Sequence, residues 1–276
     1  NKRPSETGWS FIMVKRMKID ETTVACIREF VDNKRKEKEI LNQIIRDDVF
    51  DILEKECTVL YYSLEDSIEG CHIVKPVSYE MQQFVFINTS KTVQEQVWTA
   101  AHELGHVWEV DKHIKKYYPQ NDYDTEVLVG RFAAELLMPE DITREEISNK
   151  LDEYHYKGTQ MEVNMMMELI AYLMNFFCVP YKAIVYRFIE LGYILEKSRD
   201  EFFLYEGSEE LERAIKEKQY TRLNKKAESW SISNIQNKIR RLEEEELISE
   251  KQIEYLRKVF HLDKEMSEEK GIDFKG

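Results

Sequence analysis

Residues 100–110 read AAHELGHVWEV, with His102 and His106 four apart and Glu103 directly after the first histidine. Positions i and i+4 share one face of an α-helix, so the two imidazoles are placed to grip a single metal ion. Glu103 falls between their direction and the core. From there it is suited to hydrogen-bond a metal-bound water rather than to ligate the ion. Zinc brings the pKa of such a water to about 7, and a carboxylate beside it completes a general base. Gly105 is an unusual choice inside a helix, where it costs about 0.5–1 kcal/mol relative to alanine. Close approach of a second backbone would explain it.

A hydrolytic zinc site usually has three protein ligands and one open position. HExxH supplies two, and no third histidine follows at HExxHxxGxxH spacing. The expected third ligand is therefore a carboxylate on another helix. Glu126 is best placed, near the start of the next helical segment. On its helix Gly130, Ala133 and Ala134 would allow close packing against Ala100, Ala101 and Gly105. Asp122, Asp124, Glu109 and Glu135 are the rivals. Asp122 and Asp124 also suit helix caps, and Glu109 suits a supporting or solvated position. Peptide hydrolysis further needs a donor for the developing oxyanion; Tyr117, Tyr118, Tyr123 and His155 are the nearby candidates in sequence.

These residues need elements to position them. Thr92 with Glu95 forms a capping box that starts the histidine helix. Val97, Ala101, Leu104 and Trp108 make its apolar stripe, and Trp98, His102, His106 and Glu109 an adjacent, mostly polar one. A second helix is expected over 124–138, capped by Asp124 or Asn121 and stopped at Pro139. Residues 57–62 and 83–87 are β-branched and aromatic and read as strands, with His72, Ile73 and Val74 as a third, and with Gly70 and Pro76 as punctuation. Together they predict a small antiparallel sheet.

Before the sheet, residues 10–56 read as helical. Val24, Ile27, Phe30 and Val31 recur at helical spacing, then Ile40, Leu41, Ile44 and Ile45. After Pro139 a polar stretch runs to Gly158. Residues 164–194 read as two helices broken at Cys178, Val179 and Pro180, with Gly192 at the end. From 197 the chain is highly charged, with 242–260 (LEEEELISEKQIEYLRKVF) as one amphipathic stretch. The class expected is α+β and mostly helical, divided as 1–56, a core over 57–158, a helix pair over 159–196 and a charged C-terminal region over 197–276.

The 276 residues carry a net charge of −13. Such a field repels phosphates, which argues against direct nucleic-acid binding. The densest basic run, Arg213 to Lys226, is flanked by acids and reads as a solvated face. Cys26, Cys57, Cys71 and Cys178 show no CxxC spacing, so they read as buried thiols of a reducing compartment. No apolar run suggests a signal peptide or a membrane span. The expectation is a soluble, cytoplasmic protein.

HELGH, a following glutamate and FAAELLMP (132–139) together resemble the ImmA/IrrE family of zinc metallopeptidases. FVFIN before the helix and YLMNFFCVPYKAIVYRFIELGYI (172–194) are similar too, so the resemblance spans roughly 57–195. It implies a zincin-like core and a gluzincin-like zinc metalloendopeptidase with one Zn2+ per chain. His102, His106 and Glu126 would be the ligands and Glu103 the catalytic carboxylate. Where the family usually shows alanine and asparagine after the third ligand, Val129 and Gly130 stand here. The resemblance also implies cleavage of a helix-turn-helix, DNA-binding repressor to relieve repression. The alternative is a catalytically silent module that sequesters such a partner. Leu242, Leu247, Ile248, Ile253, Leu256 and Phe260 could serve that surface, or pack on the protein's own core.

Overall fold

The computed structural model describes residues 19–260 and 262, apart from 64, 66, 78, 79, 121, 159, 160, 224, 225, 227–230, 234 and 245–248. The expectations placed on residues 10–18, Asn121, Leu247 and Ile248 lie outside the described residues. The α+β, mostly helical class holds. Helices α1 (Glu21–Glu37) and α2 (Asp48–Glu56) come first, then strands β1 (Thr58–Tyr62), β2 (Gly70–Val77) and β3 (Glu80–Asn88). Helices α3 (Val93–Val107), α4 (Val110–Tyr117), α5 (Thr125–Leu137) and α6 (Glu140–Glu153) follow. After them come α7 (Val163–Phe177), α8 (Tyr181–Glu190), α9 (Arg199–Phe203) and α10 (Glu209–Glu217). Strand β4 (Ser231–Ile232) and helices α11 (Ile235–Glu244) and α12 (Glu250–Val259) complete the described chain.

The sheet is mixed rather than wholly antiparallel. Its order is β2-β3-β1-β4, with β1 parallel to β3 and the two other pairings antiparallel. Side-chain chemistry explains the order. Strand β3 carries Val85 and Ile87, both fully buried, and takes the centre. Strand β2 carries Pro76, which has no N–H to donate and belongs on an edge. Because β2 takes the outer place and turns back through a hairpin, β3 enters beside β1 in the same direction. Gly70 and Pro76 therefore lie within a strand and do not end it. Strand β4, from the C-terminal region, closes the opposite edge: Ser233 N donates to Val59 O at 2.8 Å, and Val59 N donates to Ser233 Oγ at 2.9 Å.

Helix α3 runs beneath this sheet through the middle of the molecule, packed on α2, β2, β3 and α5. Its capping box is formed: Thr92 N donates to Glu95 Oε2 at 2.8 Å. The predicted apolar stripe of Val97, Ala101, Leu104 and Trp108 is buried. One continuous apolar core joins it to α1, α2, α5, α7 and α8.

Three stretches differ from or go beyond the sequence-based expectation. Residues 40–45 are an irregular loop rather than a helix, and Leu41 is 90% exposed. Arg35 explains this, since its guanidinium reaches the carbonyl oxygens of Asn42, Gln43 and Leu136 at 3.0, 3.0 and 2.9 Å. Capture of those carbonyls holds the chain in a turn. The polar stretch after Pro139 is helix α6, which buries only Thr143 and Ile147, a single i,i+4 pair too short to register as periodicity. The stretch 242–260 is not one helix, because α12 starts afresh at a capping box in which Ser249 N donates to Gln252 Oε1 at 2.9 Å. In that stretch Ile253 is buried, and α12 packs on α11.

Helices α7 and α8 break as expected at Cys178, whose φ is +55°, with Pro180 capping α8. Gly192 follows α8 at φ +81°. Among the described residues no single helix is long and apolar enough to cross a membrane. All four cysteines are free thiols, but only Cys178 is buried; Cys26, Cys57 and Cys71 are partly exposed.

Candidate metal centre

Two helices bring the site together. Helix α3 carries His102 and His106 on the face turned towards α5, while Glu126 lies in the first turn of α5. Asp124 caps that turn, its carboxylate accepting from Glu126 N at 2.8 Å. A carboxylate in a first turn also suits the helix dipole. The Glu126 Oε2 atom lies 3.1 Å from His102 Nε2 and 3.4 Å from His106 Nε2. The three candidate ligand atoms all fall within 4.8 Å of one another. Two imidazole nitrogens and one carboxylate oxygen at that spacing fit a single zinc-type ion, since bonds of about 2.0–2.2 Å to a tetrahedral ion place its ligands a little over 3 Å apart.

The close approach rests on Gly105. A Cβ there would meet Phe132 Cδ1 at 2.9 Å and Val129 Cβ at 3.2 Å. The glycine thus accommodates the large residues of α5 facing it, whereas the sequence pattern assigns that contact to the small ones. Val129 is itself one of the positions that depart from the family's usual pattern.

The rivals go elsewhere. Glu135 is buried among arginines, with Arg187 Nη2 at 3.0 Å and Arg131 Nη2 at 3.1 Å. Glu109 sits at φ +56° between α3 and α4 and pairs with Lys112. Asp122 is exposed. Of the oxyanion-donor candidates, Tyr123 gives its hydroxyl to Asp20 Oδ2 at 2.8 Å, which ties the start of α1 to the loop before α5. Tyr117 is exposed on α4 with its ring 4.9 Å from that of His113. Tyr118 packs against the core, and His155 is exposed after α6. Among the described residues none of these four hydrogen-bonds to or stacks on His102, Glu103, His106 or Glu126.

Glu103 is 2% exposed. Burial pushes its carboxyl up to about 7, with the Glu126 charge adding to the rise and His106 opposing it. Burial alone would pull His106 down, but its bond to Glu126 and the charges of Glu103, Glu126 and Asp111 outweigh it and leave the imidazole more basic than usual. Burial would likewise raise Glu126, but the bonds and charges of His102 and His106 bring it down to about 2. The site therefore pairs a carboxylate held low, at Glu126, with a second one raised by burial, at Glu103, next to His102 in sequence. Carboxyls pushed apart in this way mark acid–base sites.

A residue that sequence reasoning gives only to a strand also enters. His72 on β2 has its ring 6.1 Å from that of His106 and inclined by 20°. Its Nε2 is 2.8 Å from Gln83 Oε1 across the hairpin. No pattern in the sequence announces that β2 runs alongside the HExxH helix. Gly70 is the available cue. A Cβ on Gly70 would lie 2.5 Å from Thr99 Cγ2, 2.6 Å from Phe86 O and 3.6 Å from Glu103 Oε1. We predict that Gly70→Ala costs about 1–3 kcal/mol of stability, as overpacking does, because the Phe86 carbonyl is backbone and cannot yield. Denaturant unfolding checks this, and an unchanged midpoint would contradict it.

The titrations also set a pH dependence for the metal-free chain. Folded Glu103 keeps its proton to about pH 7, whereas the unfolded chain releases it near 4.5. Between those values the unfolded state binds fewer protons, so stability falls as pH rises. The His106 contribution is complete below 6.5 and is lost as pH rises through its higher folded value. Glu126 contributes fully above 4.5 and loses that only as pH falls towards 2, so it stays constant across this window. The metal-free chain is thus expected to melt lower at pH 8 than at pH 5.5, with Glu103 accounting for at most about 2 kcal/mol across that window. Glu103→Gln should flatten the slope. Metal loading should reverse it, because ligands bind deprotonated. Melting curves across pH on stripped and loaded protein decide the matter.

Residues 56–188 match the M78 peptidase family model, described as the IrrE N-terminal-like domain. The match contains β1 to β3, the helices from α3 to α7 and most of α8. No curated protein matches the chain. Residues 56–188, with the HELGH helix and the capped glutamate helix, are thus an IrrE N-terminal-like domain of the M78 peptidase family.

Proposed function

We propose that the protein is a zinc-dependent endopeptidase that hydrolyses a peptide bond in a protein substrate, a helix-turn-helix repressor being the class that the family suggests. The convergence of His102, His106 and Glu126 beside a buried Glu103 carries this reading. His102, His106 and Glu126 would hold the ion. When bound, such an ion polarises a carbonyl and makes water a nucleophile near neutral pH. Glu103, buried beside these residues, takes a proton from water and returns it to the leaving nitrogen. The buried setting keeps that carboxylate poorly solvated and so a stronger base than an exposed one.

Strand β2 supports a protein substrate. Among the described residues it is the edge of the sheet that β4 does not cover, it runs beside α3, and an edge strand suits pairing with an extended chain.

The test is metal content and cleavage together. Purified protein should hold about one zinc per chain and lose it in His102→Ala. Loaded protein should cut a repressor encoded beside it into two fragments, and chelation should stop the cut. Full metal content with every co-encoded repressor left intact would refute the peptidase reading.

A further inference from the structure

Strand β2 places a third imidazole beside the triad without adding it to the triad. Its residues alternate between faces, so Gly70 and His72 look the same way. Gly70 meets α3 at Thr99 and Glu103, and His72 comes next along the strand, beside His106. The ring is partly buried, and Gln83 holds it from the neighbouring strand. Gln83 Oε1 lies 2.8 Å from Nε2, so the tautomer that donates from Nε2 satisfies this contact and leaves Nδ1 as an acceptor. Among the described residues Nδ1 has no hydrogen-bond partner. A fixed ring with one nitrogen spent on anchoring and the other open, next to a metal triad, is arranged for a ligand.

Resting on the metal-centre reading above, we propose that His72 is a substrate-contacting residue: its Nδ1 accepts a hydrogen bond from the N–H of the amide held at the triad, and Gln83 is the positioning residue that fixes the tautomer. The contact fits the hydrolytic step. The scissile N–H is a donor throughout, and the bond to Nδ1 turns the nitrogen lone pair towards the proton that Glu103 returns. No oxidant or further reactant is involved.

The experiment uses the full chain loaded with cobalt(II), whose visible spectrum reports ligand binding directly. Acetohydroxamate, which has an N–H, and acetate, which has none, are titrated into wild type, His72→Gln, His72→Asn and Gln83→Leu. The glutamine side chain places its amide where Nε2 was, and asparagine places its oxygen near Nδ1. His72→Gln should therefore bind acetohydroxamate about tenfold more weakly, the scale of one hydrogen bond. His72→Asn should stay within about threefold of wild type, and Gln83→Leu should fall between them. Acetate affinity, cobalt stoichiometry and the resting spectrum should be unchanged in all four.

Equal hydroxamate affinity in wild type and His72→Gln would overturn the assignment. So would a parallel loss of acetate affinity, or loss of cobalt from His72→Gln, which would make His72 a ligand. A wild-type chain that takes up no cobalt would instead remove the metal centre, and His72 with it.

Discussion

Glu103→Gln should keep its metal and lose its chemistry. The substitution preserves the size of a side chain that is 2% exposed and packed beside His106 and Glu126, so neither the fold nor the ligand set should change. It removes the only buried carboxyl near neutrality in the site. Positioned acid–base groups contribute about 10²–10⁴-fold, so substrate cleavage should fall by that factor with the zinc content unchanged. The metal-free variant should also be slightly more stable than wild type at pH 8, since no buried charge then has to form. The same variant separates hydrolysis from sequestration. If Glu103→Gln still relieves repression in cells at wild-type level, binding suffices and turnover is not the function.

The largest stability effect is expected at Glu135. Arg187 is fully buried and Arg131 nearly so, and both donate to Glu135 Oε2, at 3.0 and 3.1 Å. Arg28 approaches the other oxygen at 3.3 Å, and Glu190 accepts from Arg131 Nη1 at 2.8 Å. Burial would raise the Glu135 carboxyl, but Arg187, Arg131 and Arg28 outweigh it and hold it low. The cluster locks α5 to α1 and α8, and α5 is the helix that presents Glu126. Removing one partner of a buried pair leaves an uncompensated charge, which costs about 3–5 kcal/mol. Glu135→Gln should lose that much in denaturant unfolding. Replacing Glu135 and Arg187 together with leucine and methionine should recover most of it, because the desolvation of both ions disappears. If the double replacement is as unstable as the single one, packing rather than charge accounts for the loss.

Much of the site is legible in the sequence. The HExxH spacing dictates one face of a helix, and the Thr92–Glu95 box and the Asp124 cap follow from local hydrogen bonding. Both caps form. Glu126 ranks above its acidic rivals because it alone stands in the first turn of a helix with an open packing face. Nearness in sequence carries no direction: Tyr123, an oxyanion candidate, gives its hydroxyl to Asp20, 103 residues away. His72 escapes a sequence pattern for the converse reason, since 34 residues separate it from a histidine whose ring it neighbours.

The sequence by itself determined what depends on a single turn of chain: the paired imidazoles, the carboxylate between them, the helix starts and the break at Cys178 and Pro180. Tertiary structure alone decided how separate segments meet. It set the mixed strand order, with Pro76 on the outer edge, and brought the C-terminal β4 back onto β1. It packed Val129 and Phe132 against Gly105, buried Glu135 among arginines and laid β2 along α3. Local patterns report hydrogen bonds and side-chain faces within a few residues. The desolvation that lifts Glu103 to about 7 and the approach of His72 to His106 arise from surfaces far apart in the chain, and exist only once the core excludes water.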